Sequence, residues 1–272
     1  MTTLSLEELL EPVCEIAQRA ADRILEIYDA DYAVAEKQDR SPLTDADMAS
    51  HRCIVEGLEK LTPELPVLSE ESKALPFSER SKWPRYWLVD PLDGTKEFIK
   101  KNGEFTVNIA LIDGHSPVLG VVHVPVTKTT YYAAKGVGCF RQSEGDAAPV
   151  RLQTRKANPE ALVVSGSRSH GGDTLQEFVK SLPGEVEFIA KGSSLKLCLV
   201  AEGLADIYPR FGPTSEWDTA AAQCVVEQAG GVVVNLDFEP ITYNAKADIL
   251  NPFFLVIADE AFGWQKWVKA AI

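Results

Sequence analysis

Trp87-Leu88-Val89-Asp90-Pro91-Leu92-Asp93-Gly94-Thr95-Lys96-Glu97-Phe98 is the stretch that decides the fold. Its apolar beginning predicts a strand that ends in Asp90. Pro91 has no N–H to give, which predicts that strand pairing stops there. Asp93 and Gly94 read as a turn, and Thr95 onward as the start of a helix. Two carboxylates three residues apart therefore project from one strand-to-helix junction. The Gly94 and Thr95 amides, placed at a helix N-terminus, favour an anion.

Working outward, Val67-Leu68-Ser69-Glu70-Glu71-Ser72 puts two more carboxylates just past a short strand. Ser215-Glu216-Trp217-Asp218-Thr219-Ala220-Ala221 puts Asp218 at the first turn of an apolar helix. Taken singly, each acid has an ordinary reading. Asp218 is a helix cap, Asp93 a turn residue and Glu70 a solvated surface charge. Asp47, three after Thr44, is half of a capping box. Taken together, Glu70, Asp90, Asp93 and Asp218 carry a different implication. At ~4 Å each pair of unit charges repels by about 4 kcal/mol at an effective dielectric of 20. A divalent cation resolves that conflict, and hard oxygen ligands suit Mg²⁺.

The 272 residues carry 27 Lys and Arg against 40 Asp and Glu, a net charge of −13. A field of that sign disfavours nucleic-acid backbones and anionic lipid as partners. It repels an anionic small substrate too, unless bound cations reverse it locally. Apolar residues make up 45% and charged residues 25%, which excludes disorder, collagen and small disulfide scaffolds for the chain as a whole. The first thirty residues have no basic segment leading into an unbroken apolar run, so they do not read as a signal peptide. No stretch approaches ~18 uncharged apolar residues, so no membrane span is expected. The five cysteines are odd in number and widely spaced, with no Cys-x-x-Cys, a pattern of free thiols in a reducing, cytoplasmic compartment. The four histidines form no close pair and give zinc little support.

Ser5 with Glu8 makes a capping box, and the apolar residues from Leu6 to Ile27 recur at helical spacing. Glu36 to Pro42 is polar and turn-prone. A second helix follows through Met48, Ile54, Leu58 and Leu61. Short strands are expected at Pro66–Leu68 and Tyr86–Val89, then neighbouring strands at Phe105–Ile112, Val118–Val124 and Thr129–Ala134. The second half alternates. Strands are expected at Leu162–Ser165, Val186–Ile189, Ala205–Tyr208, Val232–Val234 and Phe253–Ile257. Helices are expected at Thr174–Leu182, Ser194–Ala201 and Thr219–Gln228, with one more closing the chain. Such runs argue for a layered α/β (α+β) architecture. A division falls near Ala147 to Asn158, giving an N-terminal α+β part (1–150) with most of the acids and a C-terminal α/β part (151–272) that completes one compact unit.

Asp90-Pro91-Leu92-Asp93-Gly94-Thr95 and Trp217-Asp218-Thr219-Ala220-Ala221 resemble the paired signatures of the inositol monophosphatase superfamily. The segments Lys96-Glu97-Phe98-Ile99, Asn102 to Asn108, Ser167 to His170, Gly192 to Lys196 and Tyr208 to Thr214 are more similar to its 3′(2′),5′-bisphosphate nucleotidase branch. Inositol monophosphatases usually carry Thr-Asn at Lys96-Glu97. The resemblance spans nearly the whole chain, least at Pro76–Lys82 and Glu144–Asn158.

The resemblance implies a layered αβαβα sandwich. It also implies Mg²⁺-dependent removal of the 3′-phosphate from adenosine 3′,5′-bisphosphate, a by-product of sulfate assimilation, with 3′-phosphoadenylyl sulfate as a secondary substrate. Carried over by position, Glu70, Asp90 and the Leu92 carbonyl hold one Mg²⁺. Asp90, Asp93 and Asp218 hold a second, and the family admits a third ion near Glu70. Thr95, with Asp47 behind it, orients and deprotonates the attacking water. Substrate contacts fall to Glu70, Leu92, Asp93, Gly94, Thr95 and Asp218, with Ser167, His170, Lys196 and Arg210 on the second phosphate and ribose. Lithium inhibition is expected, because Li⁺ can enter a Mg²⁺ position. Relatives include monomers and homodimers. Association with the inner face of the membrane is attached to some relatives, though no motif in this chain supports it. Two other readings stay open: an inositol or sugar monophosphatase on the same metal site, and a catalytically silent metal-sensing or interaction protein.

Overall fold

The computed structural model of the chain describes residues 4–30, 42–73, 75–167 and 172–271. Its elements stack as helix, sheet, helix, sheet, helix. The first layer is α1 (Leu6–Tyr28) against α2 (Pro42–Leu61). The Ser5 hydroxyl accepts the Glu8 N–H at 3.3 Å, and the Ser5 N–H donates to the Glu8 carboxylate at 2.8 Å. That is the capping box expected from sequence, and it fixes where α1 begins.

The second layer is a seven-stranded sheet. It contains β1 (Val67–Ser69), β2 (Arg85–Asp93), β3 (Thr106–Asp113), β4 (Ser116–Val124), β5 (Thr129–Ala134), β6 (Gly138–Ser143) and β7 (Val150–Arg151), side by side in that order. β1 runs parallel to β2, and every later neighbour is antiparallel. Two short helices, α3 (Phe77–Arg80) and α4 (Thr95–Ile99), flank β2 in the chain. Both faces of this sheet are covered, so its strands alternate between two cores rather than between core and water. Along β3, Ile109 and Leu111 join Ile16, Ile24, Ile54 and Leu58 of the first layer. Ala110 and Ile112 join the opposite cluster with Ala220, Ala221 and Val225.

The remaining helices and strands build the other layers. β8 (Ala161–Gly166), α5 (Asp173–Ser181), β9 (Glu185–Ala190), α6 (Leu195–Ala201), β10 (Ile207–Arg210), α7 (Glu216–Gln228), β11 (Val232–Asn235), β12 (Phe254–Ile257) and α8 (Gln265–Ala271) follow in order. The second sheet is ordered β11-β12-β10-β8-β9. α6 and α7 lie between the sheets, and α5 with α8 covers the outer face through Phe178, Trp264 and Val268. Between Arg151 and Ala161 the chain passes from one sheet to the other.

The central helix sits very close to the first sheet. A Cβ on Gly120 of β4 would lie 2.2 Å from the Ala221 carbonyl oxygen of α7. Only a residue without a side chain lets strand and helix backbones meet there.

Several expectations need correcting. β2 does not stop at Pro91 but continues to Asp93 through an irregularity described below. α7 starts at Glu216 rather than Thr219, because Ser215 caps it a turn earlier. Thr44 and Asp47 both lie inside α2, which is described from Pro42, so they do not form its cap. A proline suits a helix's first turn, where its missing N–H has no partner to lose. The strand expected at Ala205–Tyr208 slides to Ile207–Arg210, while Asp206 serves as a buried acceptor for Arg155 and the Val163 N–H. The elements α3, β6 and β7 carried no clear sequence signal. Residues 36–41 of the turn-prone stretch lie outside the described residues.

Two outcomes are expected. Gly120→Ala forces a methyl into the β4–α7 contact and should cost about 1–3 kcal/mol, read as a fall of roughly 2–10 °C in Tm. His123, 3% exposed on β4, bonds the Thr130 hydroxyl at 2.8 Å, and burial pushes its pKa down to about 4. The folded protein keeps it neutral, while the unfolded chain takes up a proton near the ordinary value of about 6.5. Its contribution is full above that pH and drains away as pH falls toward 4, by about 3 kcal/mol in all. Urea midpoints at pH 7, 5.5 and 4.5 measure this, and His123→Asn should flatten the decline.

Candidate active site

The irregularity in β2 creates the site. Asp90 pairs across from Asn108 of β3, and Asp93 pairs across from Thr106. Three steps along β2 thus match two along β3, which is a β-bulge with one extra residue. Strand side chains alternate faces with period two, so acids three apart in a regular strand point to opposite sides. The extra residue cancels that, and Asp90 and Asp93 share one face. Pro91 suits such a position, because it has no N–H to add to a ladder. The bulge is pinned from below and behind. The Asp90 carboxylate accepts the Leu92 N–H at 3.0 Å, and the Ser50 hydroxyl of α2 donates to the Pro91 carbonyl at 2.8 Å. Gly94 then turns into α4 with φ 105°. A Cβ there would lie 3.2 Å from the Phe105 Cα.

Asp218 arrives from the central layer. It completes a capping box with Ser215, accepting the Ser215 N–H at 2.9 Å. The ordinary reading of this residue is therefore correct, and it is also part of the cluster. The α7 start is held from behind by Glu216, which is fully buried and accepts the Asn244 N–H at 2.8 Å. The Asn251 amide adds bonds to the Ser215 carbonyl and the Thr219 hydroxyl. Glu216 carries no sequence signal of this role, because the apolar spacing predicts a helix that begins after it.

One oxygen from each of Asp90, Asp93 and Asp218 lies within 4.8 Å of the others. Glu70 extends this group. As a residue it is exposed, but its carboxyl turns to Asp90 and is withdrawn from water. Burial, Glu71 and Asp93 raise its pKa, against the hydrogen bond with Asp90 that lowers it. Asp90 is 1% exposed, and its pKa is raised well above the usual range by burial, then by Asp93, Glu70, Asp218 and Asp47. Burial and Asp93 push Asp218 up to about 7. Asp47 of α2 is pushed up to about 8 by burial, Glu71 and Glu70. No ion pair to Asp90, Asp93 or Asp218 occurs among the described residues. Crowded hard-oxygen donors with no cationic side chain bound to them fit a hard divalent cation.

Beside the acids opens a cleft of about 150 Å³, walled by Asp93, Gly94, Ser167, Ser193, Ser194, Lys196, Tyr208, Arg210 and Asp218. The Ser193 and Ser194 hydroxyls donate to one oxygen of Asp93, at 2.6 and 2.9 Å. Lys196 is 8% exposed, donates to the Ser193 carbonyl and lies over the Tyr208 ring, with Nζ 5.5 Å from its centroid. Burial lowers its pKa, opposed by Asp93. Arg210 is tied at the cleft edge by bonds to the Gly212 and Pro213 carbonyls.

Of the residues singled out from sequence, the structure thus gathers Glu70, Asp90, Asp93 and Asp218, and lines the adjoining cleft with Gly94, Ser167, Lys196 and Arg210. Leu92 lies in the bulge. Thr95 is exposed at the first position of α4, and α2 brings Asp47 to the acidic side; no hydrogen bond joins the two among the described residues. His170 lies outside the described residues. Ser193, Ser194, Asn108 and Glu216 were not anticipated as supports, because hydroxyls and a buried glutamate have no spacing signature.

The comparisons with known proteins bear on this arrangement. The inositol monophosphatase family profile matches residues 5–259. The chain is 51% identical to the 3′(2′),5′-bisphosphate nucleotidase CysQ of Salmonella typhimurium over 250 residues, covering 91% of this chain and 99% of that one. It is 39% identical to the protein of the same name from Haemophilus influenzae, over 97% and 98% of the two chains. The crystal structure of CysQ from Bacteroides thetaiotaomicron superposes with a TM-score of 0.83 at 43% identity, covering 91% and 96%. The bulged β2 and the capped α7 that deliver the acids fall within the matched span, and the chain belongs to the inositol monophosphatase family.

Proposed function

We propose that this chain is a Mg²⁺-dependent phosphatase that removes the 3′-phosphate of adenosine 3′,5′-bisphosphate, leaving AMP and phosphate. The observation that carries this reading is the meeting of Asp90, Asp93 and Asp218 beside a cleft whose far wall offers Lys196 and Arg210. Acids alone serve any phosphate monoester. Two cations at the other wall suit a substrate with a second phosphate, Arg210 as a planar fork and Lys196 as a point charge. The high identity to proteins named as bisphosphate nucleotidases supports the same choice.

In this reading Glu70, Asp90 and the Leu92 carbonyl would hold one Mg²⁺, Asp90, Asp93 and Asp218 would hold a second, and Glu70 would be the contact for a third. Held there, Mg²⁺ would supply a lowered pKa for an attacking water and charge compensation for the attacking and leaving oxygens. Thr95 orients the water through its hydroxyl, and Asp47 behind it takes up the proton. The water oxygen would bond to phosphorus in line as the bond to the ribose 3′ oxygen breaks, and the departing oxygen would take a proton from solvent to become the 3′-hydroxyl. The Gly94 and Thr95 amides steady the phosphate. Ser167, His170, Lys196 and Arg210 hold the ribose and the 5′-phosphate. 3′-Phosphoadenylyl sulfate carries the same groups and is a second substrate. The setting is sulfate assimilation in the cytoplasm, and no helix among the described residues is long and apolar enough to cross a membrane.

Phosphate release from adenosine 3′,5′-bisphosphate, inositol phosphate and sugar phosphate, measured side by side, tests this. Release should favour the bisphosphonucleotide, stop with a chelator and return with Mg²⁺. A preference for inositol or sugar phosphate would move the assignment to the other branch, and release indifferent to chelation would end it. Asp93→Asn should stay folded yet lose several kcal/mol of transition-state stabilisation, roughly 10²- to 10⁴-fold in kcat/KM. Arg210→Ala removes a charge-assisted bond worth roughly 1.5–3 kcal/mol. It should shift the rate ratio of bisphosphonucleotide to inositol phosphate by about ten- to a hundredfold.

A further inference from the structure

Three backbone segments meet at Glu104, which lies between α4 and β3. A Cβ on Gly192 would lie 2.8 Å from the Glu104 carbonyl oxygen, and one on Gly94 would lie 3.3 Å from it. The Glu104 side chain, 9% exposed, reaches the same loop. One carboxylate oxygen accepts the Gly192 N–H at 2.9 Å, and the other accepts the Lys191 ammonium at 3.2 Å. Directly after Gly192 the chain enters a left-handed turn at Ser193, φ 50°, a conformation that costs a non-glycine residue energy and needs outside support. That turn aims the Ser193 and Ser194 hydroxyls at the same Asp93 oxygen. The Ser194 hydroxyl also bonds the Asn108 side chain at 2.9 Å, and Thr106 bonds Ser193. With one oxygen of Asp93 held by two hydroxyls, the carboxylate has a fixed orientation toward Asp90 and Asp218.

We propose that Glu104 is a positioning residue: by holding Gly192 and Lys191 it keeps the Ser193–Ser194 turn closed on Asp93, and so sets the affinity of the acidic site for a divalent cation. The inference rests on the metal reading above. Glu104 lies outside both the acidic group and the residues named as walls of the cleft. Its influence passes through one backbone N–H and two hydroxyls, the kind of outer support whose loss typically weakens metal binding by about ten- to a hundredfold.

Mn²⁺ is the probe, its free concentration followed by electron paramagnetic resonance, with folding checked by near-ultraviolet circular dichroism. Glu104→Ala should weaken Mn²⁺ binding about ten- to a hundredfold, while Glu104→Gln, which keeps an acceptor for Gly192, should restore most of it. Ser194→Ala should also weaken binding. Combined with Glu104→Ala it should add little, because both changes open the same turn. A folded Glu104→Ala with Mn²⁺ affinity within about twofold of the parent, in an experiment where Asp93→Asn loses affinity, overturns the inference. So does full additivity with Ser194→Ala. If Glu104→Ala does not fold, parent-like affinity in Ser194→Ala overturns it, because the turn would then have no hold on the acidic site. Asp93→Asn binding Mn²⁺ like the parent would instead overturn the metal reading and leave the turn geometry as it stands.

Discussion

Mutual repulsion among buried carboxylates is the constraint around which this molecule is arranged. Asp90 is almost completely withdrawn from water, with Asp93, Asp218 and Glu70 against it and Asp47 near. Each contact opposes folding unless protons or a cation relieve it. The surrounding structure therefore has to hold the acids in place rather than be held by them. It does so with features that are individually ordinary: a bulge pinned by Ser50, a capping box at Ser215, two serine hydroxyls on Asp93, and a buried Glu216 behind the α7 start.

The layer order explains how those supports reach one place. β2 belongs to the first sheet and α7 to the helical layer between the sheets. Their cluster forms where the end of one faces the start of the other. The close β4–α7 approach at Gly120 fixes the distance of that helix from the sheet. The cleft's cationic wall comes from the second sheet and α6, through Arg210 and Lys196. The central helical layer thus carries both Lys196 and Asp218, and the two sheets add Arg210 on one side and Asp90 with Asp93 on the other.

Much of this could be read in the chain. The α1 capping box, the long amphipathic helix and the alternating second half are local signals, and they hold within a residue or two at most ends. Three of the acids, Asp90, Asp93 and Asp218, are legible as a group through two motifs in order, and Glu70 joins them only by its place after a short strand. Their convergence depends on tertiary pairing that no spacing displays. Pro91 shows why. Its missing N–H predicts a strand terminator, yet the sheet absorbs it in a bulge. Asp218 shows the opposite case, where a capping signal and a place in the cluster coincide in one residue. Ser193 and Ser194 hide because a hydroxyl finds its partner by geometry rather than by periodicity.

The bulge also makes length, not only identity, part of the sequence's message. Trading one side chain for another between Asp90 and Asp93 leaves the count of peptide units intact. Removing one residue there would restore strict alternation with β3 and leave the two acids an even two-residue step apart on one face, but without the bulge that the Ser50 hydroxyl and the Leu92 N–H pin. Adding one would turn Asp93 toward the α1–α2 side. Substitution at Pro91 or Leu92 therefore keeps the shared face of the two acids, while an inserted residue at that point parts Asp93 from Asp90.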